Sequence, residues 1–144
     1  DKWLPDKPTN LVSLNGKVIL LDFWATWCGP CISAFPSLTE WHRDLEEKGL
    51  VILGITRYYG EAEGMKVDNI AEINFLNRFK KSYGLPYRLV VASDQQNQYT
   101  YGATGLPTAV LVDRKGIVRY VVTGGSSSRE EEIHQEILRL LDEK

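Results

Sequence analysis

Blocks of apolar and polar residues follow one another along this chain, and their period changes from block to block. Val18 to Trp24 is apolar except for Asp22, the pattern of a strand buried on both faces. From about Cys31 to Lys48, Leu38, Trp41 and Leu45 fall on one helical face, and Gly49 stands where a helix ends in a left-handed glycine. Leu50 to Ile55 reads as a second buried strand. Strand, helix and strand over this length predict a βαβ unit with parallel strands.

Thr56 to Asn69 is polar, contains Gly60 and Gly64, and predicts a surface loop. Ile70, Ile73, Leu76, Phe79 and Tyr83 then recur at helical spacing, closed by Gly84 and Pro86. Arg88 to Ala92 predicts a short strand, and Asp94 to Tyr101 a short helix or turn. Thr108 to Val112 and Ile117 to Val122 predict two strands joined at "DRKG", a hairpin with glycine in its turn. A last helix carries Ile133, Ile137, Leu140 and Leu141 as its buried stripe, with Ser128 and Glu131 spaced as a capping box. No repeat, low-complexity segment or linker divides the pattern, so residues 1–144 are expected to form one domain.

Composition narrows the function classes. Apolar residues make up 43% and charged residues 25%, the balance of a globular chain. The 17 basic and 19 acidic side chains give a net charge of −2, which offers nothing to nucleic acid. No run reaches the length of a membrane span, and "DKWLPDKPTN" at the start lacks the apolar core of a signal peptide. The chain starts without methionine and is expected to be a mature or trimmed fragment, any membrane anchor lying outside it.

The chemistry concentrates in "WCGPC". Cys28 and Cys31 are the only cysteines, separated by Gly29 and Pro30. As a structural staple the pair is weak, because so short a loop barely restricts the unfolded chain. As a zinc site it lacks partners, since only His42 and His134 remain and their spacing fits no standard finger. Haem attachment needs His after the second Cys, where Ile32 stands. A redox dithiol fits best: the thiols are close enough to cycle with a disulfide, and a helix N-terminus stabilises a thiolate.

With "DFWATWCGPC" at 22–31, Pro36 five residues after the second cysteine, and "GLPTAVLVDRKG" at 105–116, the chain resembles the thioredoxin superfamily from about Gly16 onward. Within it, the chain looks most like the TlpA/ResA-like extracytoplasmic thiol-disulfide oxidoreductases. The extra material after the second strand and the long stretch from Phe79 to Val118 carry that likeness.

The resemblance implies a thioredoxin fold: an α/β domain with a central mixed sheet and helices on both faces. It implies dithiol-disulfide exchange with protein substrates and a redox partner protein, by a monomer, with no cofactor and no metal. Cys28 would attack and Cys31 resolve. Asp22 would be the buried acid that accepts the Cys31 proton, against the plainer reading of a strand-end Asp satisfied by backbone donors. Leu106-Pro107 matches the superfamily's cis-proline, expected to face the dithiol and offer the Leu106 backbone to an extended peptide. Trp27 is expected beside the dithiol, Trp24 in the core, and Pro36 as a kink in the first helix.

Departures matter too. Thioredoxins often pair the buried acid with a lysine on the next strand, and Leu50 to Ile55 has none. The glutamate that TlpA/ResA-like proteins often carry near the site has Glu61 or Glu63 as candidates, either more plainly a solvated loop carboxylate. His42 has no assignable partner, and His134 reads as solvent-facing. Arg57, Tyr58 and Tyr59 follow a strand end where open α/β sheets place binding loops. The Gly-Pro dipeptide points to the reducing side, and the resemblance implies the outer face of a membrane or the periplasm. A cytoplasmic thioredoxin and a non-catalytic redox-sensing module are the alternatives.

Overall fold

Val18–Phe23 (β2) lies inside a six-stranded sheet in the computed structural model, which describes residues 1–10 and 12–144. On one side β2 pairs in parallel with Leu50–Arg57 (β3), and β3 in parallel with Arg88–Ala92 (β6). On the other side Thr108–Val112 (β7) runs antiparallel to β2, and Val118–Thr123 (β8) antiparallel to β7. The segment Lys2–Leu4 (β1) closes the far edge against β6. The sheet is therefore mixed, in the order β1-β6-β3-β2-β7-β8.

All six residues of β2 are buried, because the strand is flanked on both edges and covered on both faces. Val18 and Leu20 join Ile52, Leu89 and Leu111 under the main helical layer. That layer comprises Phe35–Leu45 (α2), which contributes Leu38, Trp41 and Leu45, and Asn69–Tyr83 (α3), which contributes Leu76. Ser127–Asp142 (α5) adds Ile133, Ile137 and Leu140. Ile19, Leu21 and Phe23 point the other way, against Leu14 and Ala103, with Tyr101 packed on them just after Gln96–Thr100 (α4).

Several predicted elements shift. The single helix expected from Cys31 to Lys48 is split into Gly29–Ser33 (α1), α2 and a 3₁₀ turn at Glu46–Lys48. Pro36 has no N–H to extend the ladder, so the break falls at Ala34 just before it. The expected loop from Thr56 to Asn69 begins as strand, since β3 runs on to Arg57, and contains a small hairpin of Glu61–Ala62 (β4) and Met65–Lys66 (β5). Glu63 and Gly64 both have positive φ there, 54° and 79°, as a two-residue hairpin turn requires. Three-residue β1 is too short to show a periodicity. Ile70 and Tyr83, counted in the helical stripe of α3, are exposed at its ends. Ile117 also falls outside β8 and is exposed, its N–H turned onto Asp113 Oδ1 at 3.0 Å.

The last helix starts earlier than its capping-box pattern implies. Ser126, extended after two glycines, is the N-cap, and its Oγ accepts from the Arg129 N–H at 3.1 Å. Ser128 is already helical. His134 is half-buried, not solvent-facing, because its ring stacks on Trp41 at 5.7 Å.

At the end of the sheet away from the dithiol, Arg114 donates to the carbonyl oxygens of Gly16, Lys48, Leu141 and Glu143 over 2.8–3.1 Å. Gly49 has a φ of 108°, and a Cβ there would lie 2.8 Å from Arg114 Nη1. Glycine thus ends the helix and admits the guanidinium.

Replacing the true cap, Ser126→Ala, is expected to lower stability by about 1 kcal/mol, and Ser128→Ala to change it by no more than about 0.5 kcal/mol. Urea unfolding of the two variants beside the parent checks the order.

Candidate functional site

The site forms where β2 ends and α1 begins. The Trp24 N–H bonds to Ile55 O at 3.0 Å and the Cys28 N–H to Ala25 O at 3.2 Å, which turns the chain into the helix. Cys28 is the N-cap of α1, and Pro30 sits in the first turn, where a missing N–H costs nothing. Cys28 and Cys31 form a disulfide with Cα atoms 5.3 Å apart. The Cys31 N–H donates to Cys28 Sγ at 3.2 Å, a donor aimed at the sulfur that would carry negative charge on reduction. Cys28 is 5% exposed and Cys31 1%, so the outer sulfur is that of Cys28.

Asp22 lies deeper in the same strand. Its Cα partners are Gly54 on β3 and Ala109 on β7, neither of which offers a polar side chain. It is 4% exposed, and its Oδ2 has no hydrogen-bond partner among the described residues. Burial alone pushes its carboxyl up to about 7, since a carboxylate loses its hydration there and no charge replaces it. It is therefore not a strand-end Asp satisfied by backbone donors. Asp22, Pro107 and Gly125 line a cavity of about 30 Å³ that reaches Arg129 and Glu130 at the start of α5.

The Leu106–Pro107 peptide bond is cis, as is Leu4–Pro5. Pro107 is buried, and Gly124 N–H holds its carbonyl at 2.8 Å. A Cβ on Gly125 would lie 3.3 Å from Pro30 Cβ and 3.5 Å from Pro107 Cγ, so Pro107 and the active-site turn flank one glycine. Leu106, half-buried, lines a recess with Trp24, Arg57 and Tyr59.

An aromatic wall stands beside the turn. Trp27 is 64% exposed and meets Tyr59 edge-on at 5.5 Å, while the Arg57 guanidinium lies 4.1 Å over the Tyr59 ring. Trp24 is core, stacked on Phe79. Tyr58 packs on the core cluster. Glu72, not singled out from sequence, holds this wall: its buried carboxylate accepts from the Tyr59 and Gly60 N–H groups at 2.8 and 2.9 Å. Its one signal was an acid four residues before Leu76 on the inward stripe. Glu61 and Glu63 are exposed on the β4–β5 hairpin. His42 meets Glu46 at 3.2 Å and packs toward Tyr87. Among the described residues no group of three or more His, Cys, Asp or Glu is placed to hold a metal ion.

Comparison with known proteins places this arrangement. The family model described as Redoxin matches residues 3–137. The thiol-disulfide oxidoreductase ResA of Bacillus subtilis (strain 168) is 35% identical over 118 residues, 82% of this chain and 59% of that protein. ResA of Geobacillus thermodenitrificans (strain NG80-2) is 27% identical over 137 residues, 94% of this chain and 71% of that protein. The chain thus spans less than two thirds of the first of these relatives. In fold it is similar to a thiol-disulfide isomerase from Corynebacterium glutamicum. The TM-score is 0.82 at 21% identity, over 100% of this chain and 93% of that one.

The buried acid sets a pH dependence. The folded state binds the Asp22 proton up to about pH 7, the unfolded state only up to 3.8. Folding stability should therefore fall as pH rises between these values and level off above them. Asp22→Asn is expected to remove that slope and to stabilise the disulfide form at pH 8 by up to about 4 kcal/mol. The difference between parent and variant in urea unfolding from pH 4 to pH 8 measures it.

Proposed function

Because this chain belongs to the Redoxin family, as a ResA-like member of the thioredoxin superfamily, we propose that it exchanges thiols and disulfides with protein substrates, acting as a reductant outside the cytoplasm. The observation that carries this reading is the Cys28–Cys31 disulfide at the start of α1, with its outer sulfur on a backbone donor and an uncompensated carboxyl buried in the preceding strand. The curated relatives bearing the name thiol-disulfide oxidoreductase support it, and residues 1–144 would act as one such domain.

In the reduced protein the Cys28 thiolate attacks one sulfur of a substrate disulfide. A Cys28–substrate disulfide forms, and the other substrate sulfur leaves as a thiolate. Cys31 then gives its proton to the Asp22 carboxylate and attacks Cys28 Sγ. The Cys28–Cys31 bond forms, and the second substrate sulfur departs with its electron pair. The substrate has gained two electrons and the protein has lost two. A redox partner protein must return them, and no cofactor is required because the two sulfurs carry both.

The substrate would lie across Trp27, Leu106 and Pro107. Trp27 offers an exposed face beside Cys28, and Leu106, just outside β7, offers backbone groups to an extended segment. Any anchor that holds the protein to a membrane would lie outside these residues.

Cys31→Ser is expected to accumulate a covalent substrate adduct, because the first attack survives and the second cannot occur. Cys28→Ser is expected to accumulate none. Incubation with disulfide-bearing proteins, followed by non-reducing electrophoresis, reads both. Adducts with neither variant, or equally with both, would overturn the ordered exchange.

A further inference from the structure

Asp22 has no charged partner, yet its surroundings are not purely apolar. Gly54 is its registered neighbour on β3, and a side chain at Gly54 has no room. A Cβ there would lie 2.8 Å from Leu89 Cδ2, 3.1 Å from Trp24 Nε1 and 3.3 Å from Tyr87 Cε2. The space on the strand next to the acid is thus taken by an indole N–H and a phenol ring, drawn in from the residue after β2 and from the residue before β6. Both are buried, and neither the Trp24 Nε1–H nor the Tyr87 hydroxyl has a hydrogen-bond partner among the described residues.

Three orphaned polar groups gathered around one glycine are unusual. An unpaired buried donor or acceptor costs about 1–3 kcal/mol, and folded proteins contain few of them. An apolar Phe in place of Tyr87 would fill the same volume without that cost. An unpaired hydroxyl here is available to donate to a neighbouring acceptor. The Asp22 charge lies close enough to Tyr87 to oppose ionisation of its hydroxyl. A neutral hydroxyl beside a charged carboxylate acts in the opposite sense, since it can donate.

We propose that Tyr87 is a positioning residue for Asp22, its hydroxyl donating to the carboxylate when Asp22 is charged and so keeping the acid able to accept the Cys31 proton near neutral pH. It acts in place of a cation, in the space Gly54 leaves open, with the Trp24 N–H as the second donor. The inference rests on the exchange reaction proposed above. The other ionisable groups around Asp22 are Arg129 and Glu130 across the cavity from α5 and His42 of α2 behind Tyr87, with Cys31 as the proton donor of the proposed exchange. β7 contributes none at the registered position, Ala109.

Tyr87→Phe removes one unpaired hydroxyl and leaves the ring, so the fold is retained. The reduced protein is mixed with an aromatic disulfide whose thiolate absorbs visible light. A first release of thiolate reports attack by Cys28, and a second reports resolution by Cys31. Between pH 5 and pH 9, the midpoint of the second phase in Tyr87→Phe is expected to move up by about half a unit or more, an about threefold slowing on its acidic side. The first phase should not move, and adding Tyr87→Phe to Asp22→Asn should change nothing further. If the midpoint stays or falls in Tyr87→Phe while Asp22→Asn still alters the second phase, Tyr87 is only a packing residue and the exchange reading stands. If the parent shows no second phase, the exchange reading fails, and the role of Tyr87 with it.

Discussion

A carboxyl in the fully buried central strand of a sheet is the constraint on which the rest of the site depends. β2 must be apolar, because strands pair with both its edges and side chains cover both its faces. Asp22 is the one exception, and burial holds its proton up to about pH 7. That cost to stability is the counterpart of the acid–base role proposed for it. Asp22 shares a strand with the turn that carries the dithiol and a cavity with Pro107. The strand that buries the acid leads directly into the turn that carries the sulfurs.

The elements around that strand divide the labour. The break at Ala34 separates a short helix that presents the sulfurs from a longer one that supplies Leu38, Trp41 and Leu45 to the core. The dithiol can therefore be set by its own local turn while the packing is set elsewhere. Glu72 does for the aromatic wall what Arg114 does at the opposite end of the sheet. One buried acid gathers two backbone N–H groups and fixes Tyr59 against Trp27, while one guanidinium gathers four carbonyls and ties helix ends to a loop.

Much of this was legible in the sequence where one residue type has one physical meaning. The buried strands were readable from continuous apolar runs, the helix end from Gly49, and the dithiol from a two-residue spacing. What escaped depends on contacts between distant segments. β1 pairs with a strand more than eighty residues away and is too short for a pattern. Glu72 looks like any helical acid until β3 brings Tyr59 to it. Tyr87 and Gly54 are unremarkable in sequence, and only the registers of β2 on β3 and of β3 on β6 bring them to Asp22. Ser126 took the cap from Ser128 because Ser126 is the last extended residue and the helix already begins at Ser127, a choice three consecutive serines cannot reveal.

The central claim is that the two sulfurs are unequal, Cys28 being the outer one and the one held by a backbone donor. Alkylation of the reduced protein by iodoacetamide, followed for each cysteine by mass spectrometry across pH, tests this directly. Cys28 is expected to react first and to titrate below the value of about 8.5 for a free cysteine, with Cys31 slower at every pH. Faster alkylation of Cys31, or a Cys28 that titrates at or above the free value, would contradict it.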